Sequence, residues 1–127
     1  MEARLDGRNA LITGGSAGIG KAIAKSFLTS GANVSIVARR SEVLTAAKAE
    51  IEAEGAVTGT SGKVIALSAD IRNSEECEKV IAKTQAAFGH VDVLVNNAGT
   101  SQRGDFLEVS DEIWQDDLDL KLFSAVR

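Results

Sequence analysis

Four short apolar runs, each followed by a stretch of helical periodicity, constrain the fold more than any other feature of the chain. The runs are Asn9–Thr13, Val34–Val37, Lys63–Ser68 and Val91–Val95. Strands that alternate with helices are typical of β-α-β units, which build a parallel sheet. The runs are almost continuously apolar, which indicates that helices cover both faces of this sheet. The sequence therefore predicts an α/β fold.

Capping signals set the predicted helix boundaries. The first helix has apolar residues at helical spacing from Ile19 to Leu28. Side chains suited to capping open the later helices, at Ser41, Asn73 and Ser110. Glycines that can end a helix follow the first three helices, at Gly31, Gly55 and Gly89. We further predict a reciprocal capping box between Asn73 and Glu76, a surface loop over 56–62 and a polar stretch over 96–105.

The glycine-rich segment 13–20 (TGGSAGIG) joins the first strand to the first helix. A helix start presents free backbone N–H groups and the positive end of the helix dipole, so it attracts phosphate. Glycine lets the backbone turn tightly and approach a ligand without a Cβ. The four glycines at this joint, Gly14, Gly15, Gly18 and Gly20, favour phosphate binding over mere packing.

A nucleoside triphosphatase is a second interpretation of the same segment. Gly15, Gly20 and Lys21 follow the spacing of a P-loop, and Asp70 after the third strand could supply its acidic partner. However, Ala22 stands where the P-loop has the Ser or Thr that binds magnesium. The missing hydroxyl disfavours this interpretation.

Segment 13–20, taken together with Asn96-Asn97-Ala98-Gly99 after the fourth strand, resembles the short-chain dehydrogenase/reductase family. The resemblance covers nearly the whole chain but only the N-terminal half of the family's pattern. It implies a Rossmann-like doubly wound parallel sheet with strand order 3-2-1-4. Residues 1–127 would then form one dinucleotide-binding domain, which is the N-terminal part of a longer single-domain enzyme.

The resemblance also implies how a dinucleotide is held. The residues expected to hold the pyrophosphate are Gly14, Ser16, Gly18 and Ile19. Those expected to contact the adenine are Asp70 and Ile71. Those expected to lie against the cofactor ribose are Asn97, Ala98 and Gly99.

The residues after the second strand indicate which dinucleotide is bound. Ala38 stands where NAD-binding relatives carry an acid that would repel a 2′-phosphate. Arg39 follows, and its guanidinium can hydrogen-bond phosphate oxygens and stack on adenine. Arg40 is a weaker candidate for the same role. The sequence therefore favours NADP(H) over NAD(H).

The acid/base residue that the family uses is absent. Its members transfer a proton with a Tyr-x-x-x-Lys motif and a preceding Ser, and this chain contains no tyrosine. Lys121 stands where the family has a fourth active-site residue, an asparagine. We therefore assign no catalytic residue and predict that these 127 residues alone are inactive. The longer parent would be an NADP(H)-dependent oxidoreductase for a carbonyl/alcohol pair; the alternative is a non-catalytic dinucleotide-binding module or sensor.

Composition restricts the partners and the location. Lys and Arg number 14 against 18 Asp and Glu, a formal net charge of −4, which disfavours nucleic-acid binding. No apolar run is long enough to span a membrane. The single Cys77 and the charged N-terminus fit a cytoplasmic protein. Beyond a dinucleotide and a small-molecule substrate, the resemblance implies a homo-oligomer that pairs through helices.

Overall fold

The structure, a computed structural model, describes residues 4–99 and 105–127. Met1–Ala3 and residues 100–104 of the predicted polar stretch lie outside the described residues. The elements in chain order are β1 Asn9–Thr13, α1 Gly18–Thr29, β2 Asn33–Ala38, α2 Ser41–Thr58, β3 Val64–Ser68, α3 Ser74–Phe88, β4 Val93–Val95, α4 Asp111–Leu118, a π-helix Asp119–Phe123 and α5 Ser124–Val126.

The strands form one parallel sheet in the order β3-β2-β1-β4. Ala10 in the central strand β1 pairs with Val34 of β2 on one side and Val93 of β4 on the other. The predicted α/β class and the predicted strand order 3-2-1-4 are confirmed. Parallel pairing brings the carboxyl ends of the strands to one edge, so the loops that follow β1, β2, β3 and β4 meet there.

Alternate residues of the strands point to opposite faces, and the two faces carry unequal cores. The larger core packs α1 and α2 against the sheet through Ile12, Ile36, Leu28 and Ile51 among others. Among the described residues, the smaller core under α3 contains four buried hydrophobic residues, which are Leu11, Val37, Ala69 and Val80. On this second face, fully buried Thr84 of α3 and Ser35 of β2 hydrogen-bond through their hydroxyls at 3.1 Å.

Asparagines tie the amino ends of the strands together. The Asn33 amide donates to Asn9 Oδ1 at 2.9 Å, and Asn33 Oδ1 accepts from the Lys63 N–H at 3.0 Å. The Asn9 N–H donates to Asp92 Oδ2 at 2.8 Å. These bonds connect all four strands at the edge opposite the glycine loop.

Helix α2 ends later than the sequence predicts. It continues to Thr58, and Gly59, with a φ of 71°, follows it in the left-handed conformation. Gly55, the predicted end, lies buried inside the helix, where a Cβ would come within 2.8 Å of Leu28 Cδ2. The prediction of a loop from residue 56 is therefore wrong for residues 56–58, since Gly55 serves packing between helices.

Four further predictions need correction. Ser41, predicted to cap α2, is the first residue of that helix, and the residue at the N-cap position makes no capping hydrogen bond with its side chain. Asn73 caps α3 by accepting from the N–H groups of Glu75 and Glu76, but the Glu76 carboxylate accepts from the Asp70 N–H at 3.2 Å. The reciprocal half of the capping box is therefore wrong.

The last helix, which the apolar spacing of Trp114, Leu118 and Leu122 predicts after Ser110, is not a regular α-helix throughout. A π-helix replaces the α-helix after Leu118. Strand β4 is also shorter than predicted, with three residues. No helix in the described ranges is long and apolar enough to cross a membrane.

Candidate functional site

The glycine loop between β1 and α1 depends on glycine for two different reasons. At Gly14 and Gly20 the neighbours leave no room: a Cβ would lie 2.9 Å from Ala98 Cα and 2.2 Å from the Gly14 carbonyl oxygen, respectively. At Gly18 the space is open, with no atom within 4 Å, but φ is +55°. The close contacts hold the loop against the turn after β4, while Gly18 presents an unobstructed backbone at the start of α1.

Helix α1 begins without the side-chain cap that α3 and α4 have. Its N-cap, Ala17, makes no side-chain hydrogen bond, and its first turn contains no acidic residue. By contrast, Asn73 caps α3 and Ser110 caps α4, and acidic residues occupy the first turn of both. The start of α1 therefore keeps its positive dipole end and its free N–H groups available for an anion.

The end of β1 is bonded to the turn after β4 through one hydroxyl. Thr13 Oγ1 accepts from the N–H groups of Asn97 and Ala98, both at 3.1 Å, and donates to the Val95 carbonyl at 3.3 Å. The Asn97 side-chain amide donates to the Gly14 carbonyl at 3.2 Å. These bonds fix the glycine loop relative to the turn after β4.

A cavity of about 250 Å³ opens at the carboxyl ends of the strands. It brings together seven of the predicted site residues, which are Gly14, Ser16, Arg39, Asp70, Ile71, Ala98 and Gly99. Four residues that were not predicted as site residues also line it, namely Val37, Ala38, Ala69 and Leu120. Gly18, Ile19 and Asn97 are not among its lining residues.

A second, more open cavity of about 470 Å³ adjoins the first and shares Ser16, Ala38 and Arg39 with it. Arg40 lines only this second cavity, where its Nε lies 3.2 Å from Glu42 Oε1. The Arg39 carbonyl accepts from the Ser68 hydroxyl at 2.8 Å, which ties the end of β2 to that of β3. Arg39 therefore borders both cavities, while Arg40 is paired with a carboxylate.

The carboxylate of Asp70 in the cavity wall is held by Arg72. Arg72 Nε lies 3.0 Å from Asp70 Oδ1, and Nη2 lies 2.7 Å from Oδ2. The Arg72 guanidinium holds the pKa of the Asp70 carboxyl below its ordinary value, and Asp70 in turn raises the pKa of Arg72. Asp70 is therefore ionised and fixed in orientation near neutral pH.

Lys121, at the position where the resemblance expects an asparagine, lies in the π-helix. Its Nζ is 2.9 Å from Asp117 Oδ1. The preceding residue, Leu120, reaches the wall of the first cavity, so the π-helix adjoins the candidate site. Nothing in the sequence pattern points to Leu120, because its position depends on how the last helix packs.

Lys21, which a P-loop would aim at phosphate, faces α2 instead. Its Nζ lies 2.9 Å from Glu50 Oε2, and Lys25 also contacts this carboxylate, at 3.7 Å. The contacts of Lys21 thus give no support to the triphosphatase alternative.

Comparisons with known proteins agree with this geometry. Residues 8–127 match the family model described as short chain dehydrogenase. The oxidoreductase YvrD of Bacillus subtilis, itself uncharacterized, is 37% identical over 100% of this chain and 45% of its own. L-sorbose reductase from Gluconobacter frateurii, solved in complex with NADPH and L-sorbose, superposes with a TM-score of 0.90 and 35% identity over 99% of this chain and 46% of its own.

A short chain dehydrogenase from Burkholderia cenocepacia in complex with NADP superposes with a TM-score of 0.87 and 34% identity, over 98% of this chain and 49% of its own. The chain thus spans about half the length of these relatives.

Proposed function

This chain belongs to the short-chain dehydrogenase family, and we propose that it is the NADP(H)-binding part of an oxidoreductase that acts on a carbonyl/alcohol pair. The observation that carries the proposal is the convergence of the glycine loop, Arg39 and Asp70 on one cavity. Two structural neighbours are complexes with NADPH or NADP, which supports the choice of cofactor. NADP(H) would supply or accept the hydride.

The residues of this chain fit such a cofactor. The uncapped start of α1, with Gly14, Ser16, Gly18 and Ile19, would bind the pyrophosphate. Asp70 and Ile71 would contact the adenine. Asn97, Ala98 and Gly99 would lie against the ribose, since the Thr13 hydrogen bonds hold this turn beside the loop.

Preference for NADP(H) would rest on Arg39. Arg39 borders both cavities, and so does its neighbour Ala38. Because position 38 carries no acidic side chain, nothing there would repel a 2′-phosphate. Arg40 would contribute less because Glu42 already pairs with it. Loss of one charge-assisted phosphate contact costs about 1.5–3 kcal/mol, which is about tenfold or more in affinity.

Titration calorimetry of NADPH and NADH against the chain tests this preference. NADPH should bind more tightly, and Arg39→Ala should weaken NADPH far more than NADH. Arg40→Ala is the matched control and should have a smaller effect. Equal affinities of the unmodified chain for the two cofactors would refute the preference.

A non-catalytic dinucleotide-binding module is the second candidate, and it is favoured by the absence of tyrosine from the 127 residues. General acid catalysis of carbonyl reduction contributes roughly 10²–10⁴-fold. We therefore expect no measurable oxidation of NADPH at 340 nm when this chain is mixed with a panel of ketones. Turnover by the verified chain would require a proton donor other than tyrosine. Activity of a longer parent that adds Tyr-x-x-x-Lys would favour the enzyme over the module.

We further propose that the protein is a cytoplasmic homo-oligomer. Trp114, Leu118 and Leu122 are 46%, 42% and 51% exposed, which leaves an apolar surface on the last helical stretch. Light scattering of the purified protein should give a mass above that of one chain. A monomer at all concentrations would contradict the assembly.

A further inference from the structure

The loop after β3 and the C-terminal segment, residues 105–127, are connected through one guanidinium. Arg72 binds both carboxylate oxygens of Asp70, and its Nη1 lies 3.4 Å from Asp116 Oδ2 on α4. A planar guanidinium can bind two carboxylates on different edges at once. Arg72 thus joins the wall of the cavity to the last helical stretch.

The backbone of Arg72 provides a second connection. Its carbonyl accepts from Arg127 Nη1 at 2.7 Å. Arg127 Nη2 in turn lies 3.9 Å from Asp119 Oδ1, and its guanidinium stacks 5.4 Å from the centre of the Phe123 ring. The loop after β3 therefore contacts the C-terminal segment at Asp116 and again at Arg127.

These polar contacts matter because apolar burial of the C-terminal segment is slight. None of the residues in α4, the π-helix or α5 is buried. Leu120 of this segment nevertheless lines the same cavity as Asp70. We infer that the placement of Leu120 depends on the contacts that Arg72 makes with Asp116 and Arg127.

We propose that Arg72 is a positioning residue that couples occupation of the cavity to docking of the C-terminal segment. The proposal rests on the proposed function, because the ligand is taken to be a dinucleotide. A ligand held at Asp70 stabilises the Arg72 arrangement, which in turn holds Asp116 and brings Leu120 to the cavity. By linkage, a docked segment strengthens binding of the adenosine half of the ligand by the same factor.

Adenosine 2′,5′-bisphosphate is the appropriate probe, since it carries the adenosine and 2′-phosphate but no nicotinamide. Calorimetry measures its binding to the 127-residue chain, and hydrogen exchange measures protection of the amides in Asp111–Val126. Trp114, the only tryptophan, gives a fluorescence signal from the same helix. In the unmodified chain we expect the probe to slow exchange of these amides by about fivefold or more.

Three variants of the contact and one control variant separate coupling from general stability. Arg72→Gln removes both ion pairs, and Asp116→Asn removes only the ion pair with α4. In each variant the probe should slow amide exchange in α4 and the residues after it by less than about twofold. Arg72→Lys keeps the positive charge but not the planar group that can bind two carboxylates at once, so its probe-induced slowing of amide exchange should be intermediate. Lys83→Gln removes an exposed charge from α3 and should leave the slowing unchanged.

The outcomes are distinguishable. If the unmodified chain does not bind the probe, both the proposed function and the coupling fail. If the unmodified chain binds the probe and the probe slows amide exchange in the C-terminal segment equally in all variants, the coupling alone is wrong. Asp116 is exposed, with 66% of its side chain accessible, so Asp116→Asn gives a decision even if Arg72→Gln fails to fold.

Discussion

The two parts of this molecule are held in place by different forces. The sheet with α1, α2 and α3, here called the body (residues 5–99), buries Ile12, Ile36 and Ile51 completely. The C-terminal segment has no buried residue in its helices. Its contacts with the body include the ion pair between Arg72 and Asp116, the hydrogen bond from Arg127 to the Arg72 carbonyl, and the approach of Leu120 to the cavity wall. Apolar burial is worth about 25 cal/mol per Å², whereas partly exposed ion pairs contribute about 0–1 kcal/mol. All the groups proposed to bind the cofactor therefore lie on the stable part, whereas Leu120, which lines the same cavity, lies on the weakly held part.

The largest expected effect contrasts the two parts directly. Ile36→Ala, at a completely buried position, should lower the free energy of unfolding by about 2–5 kcal/mol. Leu122→Ala, at a position that is 51% exposed, should lower it by less than about 1 kcal/mol. Urea unfolding followed by circular dichroism compares them. Similar losses would mean that the segment is as firmly packed as the body.

The next variant tests whether the smaller core under α3 belongs to the stable part. Thr84→Val removes a hydroxyl that bonds Ser35 in a fully buried position. Leaving the Ser35 hydroxyl without this partner should cost about 1–3 kcal/mol. Thr45→Val, on the exposed side of α2, is the matched control. An equal cost for both variants would show that the buried pair adds nothing.

Gly18→Val separates binding from stability within the body. Because no atom lies within 4 Å of the added Cβ, the cost should be the left-handed conformation, about 1–2 kcal/mol. The branched side chain would nevertheless block approach of the pyrophosphate, so calorimetry should detect no NADPH binding by a folded variant. Normal binding would mean that Gly18 only shapes the turn.

The smallest effect concerns the junction between the two parts. Arg72 lowers the pKa of Asp70 below its ordinary value of 3.8. The pair therefore stabilises the folded state fully above pH 3.8, and this stabilisation is lost as the pH falls through the lowered pKa of Asp70. Asp70→Asn should therefore cost less than about 1 kcal/mol at pH 6, because both side chains are about a third exposed. The cost should shrink when urea unfolding is repeated below pH 4. A cost that is independent of pH would contradict this assignment.

The sequence predicts the body well because its signals are local. The apolar runs identify the strands, and the resemblance supplies their order. The sequence nevertheless misplaces the end of α2, because a glycine that packs against Leu28 cannot be distinguished locally from a glycine that ends a helix. It assigns Glu76 to the wrong partner because Asp70 comes within reach only when the loop after β3 folds back.

The C-terminal segment is less predictable for a physical reason. Trp114, Leu118 and Leu122 mark a helix, but its apolar side chains stay partly exposed, so their spacing does not specify where the helix docks. The contribution of Leu120 to the cavity depends on that docking. The ion pair between Arg72 and Asp116 joins residues that are distant in sequence, and no periodic pattern indicates it.

The π-helix has a consequence for insertions and deletions. A π-turn contains one residue more per turn than an α-helical one, so its length is not interchangeable with that of its neighbours. Deleting a single residue from Asp119–Phe123 would allow α4 to continue as a regular α-helix. Residues beyond the deletion would nevertheless keep almost the same orientation around the helix axis, because the π-turn already accommodates the extra residue. Ser124–Val126 would therefore present the same face, whereas a single deletion within the regular helix α4 would rotate all following residues by about 100°. The π-helix should therefore tolerate the loss of one residue better than α4 does.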